Sequence, residues 1–213
     1  MTEPARQATP GTGAPAALTD RTAGSPIQRE RRKRILDATI AMASKGGFDA
    51  VQMRSVAERA DVALGTLYRY FPSKIHLLVS GLVRELARSL ERMERAPVPG
   101  ETPADRVLHV LAGNTRALQR DPQLTEAMTR AFMFADTSVA AEVLEVNRLN
   151  ERMFTHAMGA QEATEEDKAI ARVIGDVWLS NLVAWVTRRA SAEDVEKRLE
   201  LTVRLLLRAR ENP

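Results

Sequence analysis

The chain has 213 residues, no cysteine, 44% hydrophobic residues, 28% charged residues and only 4% aromatics. That is enough chain to bury the core of one or two modest domains, and the missing thiols exclude a disulfide framework, a Cys-ligated metal and a cysteine nucleophile. The net charge of +3 is uneven: residues 1–95 hold 16 Lys or Arg against 10 Asp or Glu, and residues 96–213 hold 15 against 18, so a basic N-terminal unit precedes a mildly acidic one.

Residues 1–26 contain four Pro and three Gly, with Leu18 the one hydrophobic side chain larger than alanine after Met1. Too little apolar surface is available there to offset ordering entropy, so residues 1–27 read as a disordered tail. The cluster Arg29-Glu30-Arg31-Arg32-Lys33-Arg34 leads into a helical pattern with Ile35, Leu36, Thr39, Ile40 and Met42 on one side, stopped at Lys45-Gly46-Gly47. Met53, Val56, Ala57 and Ala60 mark a short helix over 53–60, and Asp61-Val62-Ala63 interrupts it. A second short helix runs from Leu64 to Phe71 and is closed by Pro72. Ser73 caps a long helix carrying Ile75, Leu78, Val79, Leu82, Leu86 and Leu90 to about Arg95. Pro97-Val98-Pro99-Gly100 is the clearest linker, and it divides a head over 28–95 from a body over 96–213.

Five more helices are expected beyond the linker. They run from Thr102-Pro103-Ala104-Asp105 to Arg120, from Asp121-Pro122 to about Ala135, from Ser138 to Met158, from Thr164 to Arg189, and from Ser191 to about Arg210. Acidic first turns and basic last turns recur, as the helix dipole favours. With no sustained period-two stretch, the fold class is all-α, with about nine helices.

A short helix, a three-residue turn and a second short helix have helix-turn-helix geometry, with small Ala57 at the crossing and Val62 and Leu67 pointing into a small core. The second helix offers Leu64, Gly65, Thr66, Tyr68, Arg69 and Tyr70, a mixture of hydroxyls, flat rings and a guanidinium that suits base edges and phosphates. Thr66 and Tyr68 are assigned to the groove, Tyr70 and Lys74 to phosphates, and Gln52 and Arg54 to the flanks. The alternative packs both tyrosines into a helical core and leaves Arg69 solvated. Arg31, Arg32 and Arg34 either reach phosphates or the minor groove beside this unit, or only solvate a helix start.

Gly65-Thr66-Leu67-Tyr68-Arg69-Tyr70-Phe71-Pro72-Ser73-Lys74, behind Val56-Ala57-Glu58-Arg59-Ala60, resembles the DNA-binding signature of the TetR family of bacterial regulators. The resemblance implies a three-helix DNA-binding head on a palindromic operator, a helical ligand-binding body and a homodimer. Asp61 stands where these proteins usually carry glycine, and aspartate tolerates a left-handed backbone better than most residues.

In the body, Met128, Phe132, Met133, Met153, Phe154, Trp178, Leu182 and Trp185 can line an adaptable apolar cavity or fill an ordinary core. Asn181, among large rings, needs either a buried backbone group or a ligand's polar atom as partner. Ile170, Val173 or Ile174, Val177 and Asn181, then Val195, Leu199, Val203 and Leu206, follow helical spacing in the last two helices. Those stripes either pair with a second copy as a four-helix bundle or close the monomer's own core. Leu124 to Phe132, Phe134-Ala135-Asp136, Asp176 to Leu182 and Trp185 to Ser191 resemble the KstR-type subfamily of actinobacteria, over residues 28 to about 207. This resemblance implies a repressor of sterol (cholesterol) catabolism genes released by a steroid acyl-CoA thioester with a 3-oxo ring system. The alternative effectors are a fatty acyl-CoA or a drug. Arg130, Arg148 and Arg172 are candidates to meet the CoA phosphates.

Catalysis is not expected. His76, His109 and His156 are far apart, and neither a metal-ligand spacing, a phosphate loop nor an activated serine motif is present. No cofactor or metal is expected besides the effector. No run approaches the roughly 18 apolar residues of a membrane span, so the expected location is the cytoplasm.

Overall fold

The computed structural model describes residues 25–160 and 162–210. The tail expected over residues 1–24 lies outside the described residues. Nine α-helices are found among them, and no strand: α1 (Pro26–Ala50), α2 (Met53–Arg59), α3 (Leu64–Tyr70), α4 (Lys74–Met93), α5 (Pro103–Arg120), α6 (Pro122–Met133), α7 (Ala140–Met158), α8 (Glu165–Val186) and α9 (Ala192–Leu207). Short 3-10 turns at Thr137–Val139 and Arg208–Arg210 lead into α7 and follow α9.

Residues 25–27, expected in the tail, instead begin α1. The Ser25 hydroxyl accepts from the Gln28 N–H, the Gln28 side chain accepts from the Ser25 N–H, and Pro26 occupies the first helical position. A local capping box therefore outweighs the tail's Pro and Gly content. Three more capping boxes start α5 (Thr102, Asp105), α8 (Thr164, Asp167) and α9 (Ser191, Asp194), each satisfying amides that the helix leaves open. Hydrogen bonds from Thr102 hold the Asp105 carboxyl below the usual carboxylate range, and those from Ser191 do the same for Asp194. At the other end, Gly159 closes α7 in the left-handed region at φ 85°.

The glycine pair in α1 breaks the helix where expected. Gly46 leaves helical geometry, Gly47 sits at φ +66°, and one further turn follows through Ala50. Asp61 takes the left-handed conformation at φ 52° in the turn between α2 and α3.

Two apolar cores hold the molecule. The first joins Ile35, Leu36, Val56, Ala57, Leu67 and Phe71 to Leu77, Leu78 and Val79 of α4, and is completed by Ala127 and Ala131 of α6 with Val139 and Val146. The head therefore does not close on residues 28–95 alone. The second core lies among α5, α7, α8 and α9, around Val107, Leu111, Phe154, Ile174, Val203 and Leu207. Helix α6 packs against α1, α4, α5 and α8, so it bridges the two.

A Cβ on Gly47 would lie 2.8 Å from the Glu126 carboxylate and 2.9 Å from the Gln123 amide, in a conformation that L side chains rarely adopt. Gly47→Ala should destabilise the protein by about 1–3 kcal/mol. A thermal melt checks this, with a lowered Tm expected.

Candidate DNA interface and ligand cavity

Residue Leu67 turns α3 inward and is fully buried, while Leu64, Gly65, Tyr68 and Arg69 are exposed and Thr66 and Tyr70 half-buried. Of the two residues assigned to the groove, Tyr68 lies on the exposed face and Thr66 is half-buried. Tyr70 is shared with the core, its ring 6.4 Å from that of Phe71. Gln52 and Arg54 are exposed at the start of α2, where the Gln52 amide donates to the Asp49 carbonyl (2.9 Å) and Arg54 pairs with Glu58 (3.2 Å).

The basic run divides by geometry. Arg31 is exposed, whereas the Arg32 guanidinium lies 5.0 Å over the Phe71 ring and Arg34 pairs with Asp61 at 3.4 Å. Arg34 thereby meets the residue that occupies the strained turn. Lys74 also has an internal engagement: its Nζ lies 4.0 Å from the Phe48 ring centroid, and burial pushes its pKa down against the pull of Asp49. The start of α4 is capped by Ser73, which accepts from the His76 N–H.

The junction between head and body is polar and directional. The Phe48 N–H, just past the glycine pair, donates to Glu126 Oε2 of α6 at 3.0 Å. Arg130, one turn along α6, pairs with Asp49 (3.3 Å) and Glu126 (3.6 Å) and lies 4.5 Å over the Phe48 ring, which also carries Lys74. A second tie is His76, buried, whose Nε2 is 2.9 Å from the Ser138 carbonyl oxygen and whose Nδ1 is 2.9 Å from the Ser73 hydroxyl. Sequence reading missed Gln123 and Glu126. Their signal was the i, i+3, i+7 spacing with Arg130, a polar stripe on a helix whose other face is apolar.

That other face lines a cavity of about 220 Å³ between α4, α6, α7 and α8. Leu82 and Leu86 come from α4, Thr125, Met128, Thr129 and Phe132 from α6, Val146, Asn147, Asn150 and Glu151 from α7, and Arg172, Asp176, Trp178 and Leu182 from α8. Arg172 pairs with Glu151 at 2.9 Å across α7 and α8, and it is the only cation among the described lining residues.

Of the nine residues named from sequence, Met128, Phe132, Trp178 and Leu182 line this cavity. Met153 and Phe154 are buried in the second core instead. The Asn114 amide donates to the Met153 sulfur (3.3 Å), and Phe154 meets Trp178 edge-on with ring centroids 6.2 Å apart. Met133 faces away, 52% exposed. Trp185 lies on a small side cavity shared with Trp178, Leu118 and Leu182. Asn181 finds its partner in its own helix, donating to the Val177 carbonyl at 2.8 Å. Of the three arginines considered for phosphates, Arg172 alone is at the cavity, since Arg130 is at the junction and Arg148 pairs with Glu145 at 2.8 Å. No group of three or more His, Asp or Glu that could hold a metal occurs among the described residues.

Residues 35–80 match the family of bacterial regulatory proteins named for tetR, and residues 100–206 match the tetracyclin repressor-like C-terminal domain. The chain is 64% identical over 196 residues to the HTH-type transcriptional repressor KstR of Rhodococcus jostii (strain RHA1), covering 92% of each chain. It is 62% identical to the KstR repressor of Mycolicibacterium smegmatis, covering 93% of this chain and 97% of that one. The fold is similar to the crystal structure of a TetR transcriptional regulator from Rhodococcus sp. RHA1, at TM-score 0.77 and 37% identity over 84% of this chain and 96% of that chain. With both family regions matched and near-full-length relatives above 60% identity, the chain belongs to the TetR family of bacterial transcriptional regulators.

Proposed function

We propose that this chain is a homodimeric, cytoplasmic repressor that binds a palindromic operator of sterol-catabolism genes and is released by a steroid acyl-CoA thioester with a 3-oxo ring system. The observation that carries the reading is the position of α6, which walls the cavity with Met128 and Phe132 while Glu126 and Arg130 hold the head. The choice of a sterol rests on the similarity to KstR repressors, 64% identical over 196 residues in one of them, and the walls of Leu, Met, Phe and Trp suit a rigid apolar ring system.

Thr66 and Tyr68 read the groove in this mechanism, with Leu64 and Gly65 permitting close approach. Arg31, Tyr70, Gln52 and Arg54 position the backbone. Lys74 joins them at the head of α4, and Arg32 and Arg34 act mainly by stiffening the head through Phe71 and Asp61. The cavity, at about 220 Å³, is below the roughly 300–1,000 Å³ that holds a drug-sized ligand, so a steroid must push its walls apart. Displacing Met128 and Phe132 moves Glu126 and Arg130 on the same stiff helix, and with them the head. Ligand thereby favours a spacing of the two α3 helices that no longer matches the half-sites.

A second copy of the chain accounts for α8. It is long and apolar enough to cross a bilayer by length and composition, yet only 22% of that window is buried within the chain. Val173 is 44% exposed there, and Leu201 and Leu205 of α9 are 61% exposed. Pairing α8 and α9 with their symmetry mates covers this surface and sets the two heads side by side.

Arg31→Ala should reduce the magnitude of the slope of log K against log salt by about 0.9, as one lost phosphate contact requires, whereas Arg32→Ala should change it less and lower the Tm. Equal slope changes would contradict this division. A 3-oxo steroid acyl-CoA thioester titrated into the protein–operator complex should free the DNA, followed by fluorescence anisotropy. Release only by a fatty acyl-CoA or a drug would replace the effector and leave the regulator intact. In Glu126→Ala, thioester affinity should stay within about threefold while release at saturation falls. Full release by that variant would sink the role given to α6.

A further inference from the structure

We propose that Asn150 is the specificity-determining residue of the cavity, the group that recognises one uncharged oxygen, hydroxyl or carbonyl, on the ring system of an otherwise apolar ligand. This rests on the cavity being the effector site. Helix α7 presents Val146, Asn147, Asn150 and Glu151 to the cavity, one face at spacings of three and four. Among the other polar groups of the wall, the Thr125 hydroxyl donates to the Leu118 carbonyl at 2.8 Å, and Glu151 holds Arg172. Asn150 differs, because its Oδ1 is shielded from solvent and has no hydrogen-bond partner among the described residues.

A leucine has the same branching and heavy-atom count with no unmet polar atom, so packing alone does not call for an amide here. The amide is suited to reading oxygen. It carries an acceptor and a donor on one carbon, and a half-turn of the side chain exchanges them. Asn150 can therefore accept from a ring hydroxyl or donate to a ring carbonyl. Arg172 is the lining cation that an anionic group would meet, and Asn150 is a lining amide suited to an uncharged oxygen. The contrast with Asn181 is direct, since its Oδ1 is also unpartnered but its Nδ2 is held by the Val177 carbonyl and it does not line the cavity.

The test uses the full-length protein on operator DNA and three steroid acyl-CoA thioesters that differ only at the ring position, carrying a ketone, a hydroxyl or hydrogen. Wild type should respond to the two oxygenated ligands at about tenfold lower concentration than to the deoxy ligand, the size of one hydrogen bond in an apolar site. Asn150→Leu should bring the three within about twofold of each other, and in the absence of ligand should melt at the same temperature as wild type or higher. Asn150→Asp, which can only accept, should keep the hydroxyl ligand and lose the ketone. A tenfold preference retained by Asn150→Leu, or a lower melting temperature, would overturn the assignment. If none of the three thioesters releases wild type, the sterol reading fails and this assignment with it. If all release both proteins with one unchanged preference, the assignment of Asn150 alone fails.

Discussion

The structure depends on one helix meeting one bend. Helix α6 has twelve residues, about three turns, and its period brings Gln123, Glu126 and Arg130 to one side and Thr125, Met128, Thr129 and Phe132 to the other. The first side meets the end of α1, where the glycine pair turns the chain and presents the Phe48 N–H to the Glu126 carboxylate. Any side chain at Gly47 would occupy the space of that carboxylate, so the bend and the contact specify each other. A carboxylate accepting from a backbone amide is directional in a way that apolar packing is not, which is why the proposed mechanism routes movement of α6 to the head.

The packing of the head bears on the proposed transmission by α6. The head core has no slack of its own, because Ile35, Leu67, Phe71 and Leu77 are fully buried, and Ala127 and Ala131 of α6 belong to the same cluster. Interiors packed at this density shift between discrete arrangements and do not deform continuously. In the proposed mechanism a ligand that widens the cavity selects a second seating of α6. It shifts the DNA-binding equilibrium only by its preference for that seating, and a molecule that fitted both seatings equally would leave the repressor in place.

The helices were largely legible in the sequence because their ends are decided locally. Thr102 with Asp105, Thr164 with Asp167, and Ser191 with Asp194 are capping boxes within four residues, and Asp61 in the turn took the left-handed backbone its chemistry allows. The same local chemistry at Ser25 and Gln28 was overlooked because the composition around it looked like tail. The cavity was legible only in part. Helical periodicity tells which face a residue occupies but not what lies opposite, so Phe154 and Met153 went to a packed core and Met133 to the surface, while Leu82, Thr129 and Asn150 line the cavity unannounced. The basic run shows the same limit: Arg31, Arg32 and Arg34 are alike in sequence, and tertiary contacts alone separate an exposed surface charge from one stacked on Phe71 and one paired with Asp61.

The absence of cysteine permits a direct test of the central claim, that ligand in the body changes the separation of the two recognition helices. Arg69→Cys places a single spin label on the exposed side of each α3, and the label-to-label distance in the dimer can be measured by pulsed electron paramagnetic resonance. A distance distribution that shifts on adding a steroid acyl-CoA thioester, and returns when operator DNA is added in excess, is the result this structure predicts. Distributions that coincide with and without ligand, under conditions where the ligand frees the DNA, would contradict it.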